Sequence, residues 1–206
     1  MKKNNGRKIP SKFENPIDDK IIDLCDLLVE PCFKNNITPN IITVVRIIIS
    51  FFSLYYLFFT CDYTIPILGT AIFYFMDCLD GHLARSTDQV TVLGDYLDHG
   101  ADSFYSLAIL VYLITKKYNY KIFIISGFLT LTYLLLVHFG LQQKNYKIIS
   151  KKKNPKIELE EETLDKLNYL HNLSPKNITW TRYFGCGTFY LFILLLIYYI
   201  QSNCIK

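Results

Sequence analysis

Six aspartates fall between residues 77 and 102, in the run DCLDGHLARSTDQVTVLGDYLDHGAD, and four of them are spaced as helical pairs. Asp77 and Asp80 are three apart, Asp98 and Asp102 four apart; on α-helices each pair shares a face, about one 5.4 Å turn along the axis. Two such pairs brought together form a cage of hard anionic oxygens, the donor set that suits Mg²⁺ or Mn²⁺. No Cys or His cluster lies nearby to favour a softer metal. Gly81, Ala84 and Gly94 are small enough for backbone or ligand to approach closely. Arg85 adds a planar, permanently charged fork suited to a phosphate oxygen. Carboxylates, arginine and small residues in one run suit a diphosphate group neutralised by a divalent cation.

The elements that must carry these residues are apolar. Of the 206 residues 51% are hydrophobic and 16% aromatic, and they gather in blocks such as IFIISGFLTLTYLLLV and TFYLFILLLIYYI that leave no polar face for water. The chain therefore reads as an all-α integral membrane protein. Five spans are expected, at about Ile41 to Phe59, Ile65 to Leu79, Tyr96 to Thr115, Ile122 to His138 and Phe184 to Ile200. The second reaches full length only if its helix continues into the aspartate run. Ahead of them, Ile21, Leu24, Leu27 and Leu28 fall on one face of a helix expected to end at Pro31 and to lie in the membrane interface. Residues 1–37 are thus a basic segment with an interfacial helix, and 38–206 the transmembrane domain, with a polar loop at about 144–181.

Charge suggests an orientation. If five spans alternate, the N-terminus, the loop holding Arg85 and the lysine cluster of residues 144–156 share one side, which the excess of Lys and Arg marks as the cytosol. The turn KKYNYK runs against this assignment. The loop also holds a leucine series at Leu164, Leu167, Leu170 and Leu173, expected as a surface helix. Six scattered cysteines suggest neither a disulfide framework nor a zinc site and are expected as packing residues. No secretory signal peptide is expected at MKKNNGRKIP. Arg46, inside the first span, is costly there and is expected to face a polar cavity, the headgroups or a substrate phosphate.

The spacing Asp77-x2-Asp80-Gly81-x2-Ala84-Arg85-x8-Gly94-x3-Asp98-x3-Asp102 resembles the signature of the CDP-alcohol phosphotransferases, with all eight fixed positions filled. Upstream, TPNIITVVR is similar to the start of that family's first span. The resemblance implies a membrane enzyme of phospholipid synthesis, which transfers a phospho-alcohol or phosphatidyl group from a CDP-linked donor to an acceptor alcohol and releases CMP. Carried over by position, it makes Asp77, Asp80, Asp98 and Asp102 the ligands of two divalent ions, with Asp102 also the general base. Asn40, Gly81, Arg85 and Thr91 would hold the CDP moiety. The family implies six spans, a homodimer, a lipid partner and a site facing the cytosol; nucleic acid is not an expected partner.

Two donor readings stand. The run GDYLDHGADS resembles choline and ethanolamine phosphotransferases, which use diacylglycerol. The compact chain resembles instead enzymes that join CDP-diacylglycerol to inositol, serine or glycerol phosphate. Asp88, Asp95 and the four histidines lie outside the signature and are expected as surface or packing residues. A Mg²⁺ transporter also needs intramembrane carboxylates, but it leaves the fixed spacing of Gly81, Ala84, Arg85 and Gly94 unexplained.

Overall fold

The computed structural model describes residues 6–153 and 173–204. Six long helices make up most of it: α1 (Pro16–Lys34), α2 (Pro39–Phe59), α3 (Thr64–Thr87), α4 (Val92–Thr115), α5 (Lys121–Lys153) and α6 (Cys186–Cys204). Short helical turns at Pro175–Asn177, Ile178–Thr181 and Arg182–Phe184 lead into α6. No strand occurs among the described residues, so the protein is all-α.

Local sequence sets the helix starts. Asn15 caps α1 by accepting from the Ile17 amide at 2.9 Å, with Pro16 at the first helical position and Asp18 and Asp19 in the first turn. Thr38 caps α2 and Pro39 follows it, which explains the first two letters of TPN and leaves Asn40 for other work. Thr91 caps α4 by accepting from the Gly94 amide. Between them α3 ends at Asp88, in the left-handed region at φ 57°.

Three helical stretches are long and apolar enough to cross a bilayer: Pro39–Phe59, Lys121–Lys152 and Pro175–Asn203. Helices α3 and α4 are as long as a span requires, 24 residues each. They fall outside that group because one end of each carries the aspartates. The apolar halves pack with α2 and α6 around Phe73, Tyr105, Ile109, Phe189 and Ile193. Inside this core the Tyr105 hydroxyl meets Thr70 Oγ1 at 2.6 Å and Ser53 Oγ at 3.3 Å, so three helices are tied by polar groups that lipid could not satisfy.

Helix boundaries meet expectation in one place and differ from it in two. The second span does continue into the aspartate run, as its length demanded. Helix α1 runs through Pro31 to Lys34, because a proline this close to the end removes a single intrahelical hydrogen bond; Asn36, at φ 56°, follows its end. Helix α5 continues past His138 to Lys153, well into the expected loop. Its polar half has tertiary anchors: Gln142 donates to Glu14 at 3.0 Å, Lys144 to the Leu173 carbonyl at 3.0 Å and the Asn145 amide to the Pro175 carbonyl at 3.0 Å. The remainder of the loop, with Leu164, Leu167 and Leu170, lies outside the described residues.

Helix α1 has two apolar faces. Ile22, Cys25, Val29 and Cys32 are buried, and Cys25, Val29 and Cys32 pack against Ile42, Leu79 and Leu83. Leu24 and Leu27, on the face read from the sequence, remain 54% and 71% exposed, as a helix lying on lipid requires. Its N-terminal end is pinned by polar groups: the Asn15 amide donates to the Arg182 carbonyl at 2.8 Å and to Thr188 Oγ1 at 2.9 Å, and the Tyr74 hydroxyl donates to Asp18. Burial pushes the Asp18 carboxyl up to about 7. It pushes Glu14 up to about 7 as well, the Asp18 charge adding to the rise.

A carboxyl with a raised folded-state pKa still holds its proton when the unfolded chain has lost it, so stability falls as pH rises from about 4.5 to 7. Replacing Glu14 with Gln, which keeps an acceptor for Gln142, removes that loss. The Glu14→Gln protein is expected to melt about 7–13 °C above wild type at pH 8, with the gap closing near pH 4 in a thermal-unfolding series.

Candidate active site

The C-terminal end of α3 and the N-terminal end of α4 bring the aspartates together. Carboxylate oxygens of Asp77, Asp80 and Asp98 all lie within 4.8 Å of one another, and Asp98, His99 and Asp102 form a second such group. Asp80 is buried, and the Thr43 hydroxyl of α2 donates to it at 2.7 Å. Asp95, outside the signature, sits 3.2 Å from His99 one helical turn later.

Arg46 of α2 enters this cluster with no exposed surface. Its Nη2 donates to Asp98 Oδ1 at 2.8 Å and to the Asp98 carbonyl at 3.2 Å. Its Nη1 pairs with Asp77 and lies 3.5 Å from Asp102 Oδ1. The guanidinium also rests over the Phe73 ring, 4.7 Å from its centroid. Arg46 thus faces carboxylates and not the headgroups: its cost inside a helix bundle is offset by three carboxylates that need a cation as much as it needs anions. The sequence marks Arg46 as expensive, yet only the crossing of α2 over α3 and α4 shows its partners.

The donor set fits a divalent cation of the Mg²⁺ or Mn²⁺ kind. The first group offers carboxylate oxygens alone and the second adds one ring nitrogen of His99 to two carboxylates, while Asp102 Oδ1 is buried without a hydrogen-bond partner, leaving acceptor capacity to fill.

Beside the cluster lies a cavity of about 350 Å³ lined by Asn40, Asp80, Gly81, Ala84, Arg85, Thr91, Gly94 and Asp98 among others. Eight of the ten residues selected from the sequence therefore share one wall. The other two, Asp77 and Asp102, join them through Arg46. The small residues have steric causes. A Cβ on Gly81 would lie 3.1 Å from Arg85 Nη1, and one on Gly94 would lie 3.0 Å from Thr91 Oγ1 and 3.1 Å from Asn40 Oδ1. Two further lining residues, Lys8 and Tyr146, come from segments outside the signature. Neither spacing nor charge around them marked them in the sequence.

A family model for CDP-alcohol phosphatidyltransferase matches residues 36–201, from the α1–α2 turn to the end of the last helix. The chain belongs to the CDP-alcohol phosphatidyltransferase family. Among curated proteins it is similar to Cholinephosphotransferase 1 of Rattus norvegicus, 35% identical over 77 residues. That match takes in 32% of this chain and only 19% of the rat protein. No solved structure matches the chain. Within the family frame the cavity and the acidic cluster coincide with the signature, and Arg46 and Thr43 are added to it from α2.

Converting Arg46 to Met leaves the clustered carboxylates without their cation. The variant is expected to lose about 3–5 kcal/mol of stability, read as a lower melting temperature in EDTA. Mg²⁺ should raise its melting temperature more than it raises that of the wild type. Equal melting in EDTA would show that Arg46 is not the counter-ion.

Proposed function

We propose that the chain is a membrane CDP-alcohol phosphotransferase of phospholipid synthesis, moving a phospho-alcohol group from a CDP-linked donor to an acceptor alcohol with release of CMP. The observation that carries this is the single cavity in which Asn40, Gly81, Arg85 and Thr91 meet Asp80 and Asp98. Arg85 and the polar groups of Asn40 and Thr91 bind the CDP moiety there, and Gly81 leaves room for it. Asp77, Asp80, Asp98 and Asp102 hold two divalent ions, Mg²⁺ or Mn²⁺. Once bound, such ions supply Lewis-acid neutralisation of the diphosphate and of the departing CMP.

The acceptor hydroxyl oxygen attacks the phosphorus that carries the donor alcohol, and the bond from that phosphorus to the bridging oxygen of CMP breaks. Asp102 takes the hydroxyl proton as the new bond forms. Arg46 holds the carboxylates of α3 and α4 at a fixed separation and is itself out of reach of the substrate.

The run GDYLDHGADS and the name of the rat relative favour CDP-choline or CDP-ethanolamine as donor and diacylglycerol as acceptor. In detergent micelles these pairs are expected to release CMP in a Mg²⁺-dependent reaction. Asp102→Asn should lower turnover about 10²–10⁴-fold while retaining most CMP binding. Undiminished turnover by that variant would remove Asp102 as the base, and turnover only with CDP-diacylglycerol plus a polar alcohol would exchange the donor. Transport of Mg²⁺ without CMP release would support the rival reading; Arg46 among the carboxylates speaks against it, since a fixed cation repels a permeant one.

The proposal places residues 1–37 at the interface, 38–206 in the membrane domain and the active site toward the cytosol, in a homodimer. The cavity is lined from the start of α2, the α3–α4 turn and, through Tyr146, the polar half of α5. Cys61, after the opposite end of α2, is disulfide-bonded instead of serving as a packing residue, which supports an oxidising compartment on that side. Single cysteines introduced at Lys147 and Asp62 are expected to react with impermeant maleimide from opposite sides of sealed vesicles. Labelling from the same side would overturn the arrangement.

A further inference from the structure

Residues 6–9 cross the edge of the α3–α4 site as a strap fixed at three points. Gly6 sits at φ 62°, and a Cβ there would overlap Ser86 Oγ and lie 2.6 Å from the His82 ring, so the contact with α3 is open only to glycine. Arg7 forks to α1, with Nη1 at 2.6 Å from Asp19 and Nη2 at 2.5 Å from Asp23. Ile9 is buried with Val137, Leu141 and Ile178. Lys8, held between these anchors, lines the cavity together with Arg85 and Tyr146, its Nζ 5.9 Å from the Tyr146 ring centre.

The strap also acts on the signature arginine. The Gly6 carbonyl accepts from Arg85 Nε at 2.7 Å, which fixes the guanidinium and leaves its Nη1 and Nη2 edge for a ligand. The same cavity is lined by Asp80, Asp95 and Asp98. A diphosphate held there beside the divalent ions on Asp80 and Asp98 gains from each further cation that faces the same space.

Resting on the donor reading above, we infer that the strap is part of the donor site: Lys8 binds the diphosphate of the CDP-linked donor as a second cation, and Gly6 and Arg7 are positioning residues that orient Arg85. The ligand class is a nucleoside diphosphate ester, recognised through its phosphates by Lys8 and Arg85 together. Lys8 lies 28 residues before the family match begins at residue 36, so it is a feature of this chain and not of the signature.

The test is calorimetric titration of the full chain, in detergent micelles with Mg²⁺, by CDP and separately by cytidine at millimolar concentration. Lys8→Met is expected to weaken CDP binding about tenfold and to leave cytidine binding and the melting temperature unchanged. Lys8→Arg should restore most of the CDP affinity. Arg7→Ala, which touches no ligand, should also weaken CDP by freeing the strap. CDP bound by Lys8→Met and Lys8→Gln within twofold of wild type would overturn the inference and leave the family reading standing. Equal losses for CDP and cytidine would overturn it too, by showing a structural role. A wild-type chain that binds no CDP would overturn the donor reading and this inference with it.

Discussion

The arrangement of the bundle depends on one electrostatic constraint, a buried guanidinium shared among carboxylates from two other helices. Arg46 has no exposure, and it reaches Asp77 on α3 and Asp98 and Asp102 on α4. Neither partner set is tolerable alone in such surroundings: a lone arginine within a membrane helix is costly, and clustered carboxylates without a cation repel one another. Together they require α2 to cross close to both α3 and α4. The geometry that satisfies Arg46 is the geometry that brings the aspartates within ligand distance of one another.

The hydroxyl layer beneath reinforces the crossing. Ser53, Thr70 and Tyr105 bind one another between α2, α3 and α4, and Phe73 stacks on Tyr105 at 4.4 Å while its other contacts include the Arg46 guanidinium. An apolar core in lipid has no hydrophobic preference for one neighbour over another, so polar contacts of this kind choose which faces meet. Above this layer the bundle turns polar, and α1 closes over it. Its inner face packs on α2 and α3, its outer leucines are left for the interface, and its first turn is locked to the start of α6 through Asn15. The acidic cluster consequently lies at the polar end of the bundle.

Much of this was legible in the chain itself. Apolar blocks long enough to span lipid gave the all-α membrane class, and the spacing of Asp77, Asp80, Asp98 and Asp102 gave helical pairs, because the first signal depends only on block length against bilayer thickness and the second only on the 3.6-residue period. Eight of the ten residues selected from the sequence prove to line one cavity. Helix ends were less legible. The α5 helix outruns its apolar block because its polar half is held by Glu14 and by the carbonyls of Leu173 and Pro175, contacts made across sequence distances that no local pattern carries.

Residue type and spacing thus determined the membrane class and the acidic pairs, since these follow from local periodicity and side-chain chemistry. Tertiary structure decided what Arg46 and Lys8 face. A cation's role is fixed by the charges around it in space, and those charges lie on other helices: carboxylates 31 to 56 residues away for Arg46, and a cavity lined from α2, α3, α4 and α5 for Lys8. No pattern along the chain encodes such distances; they exist only once the helices have packed.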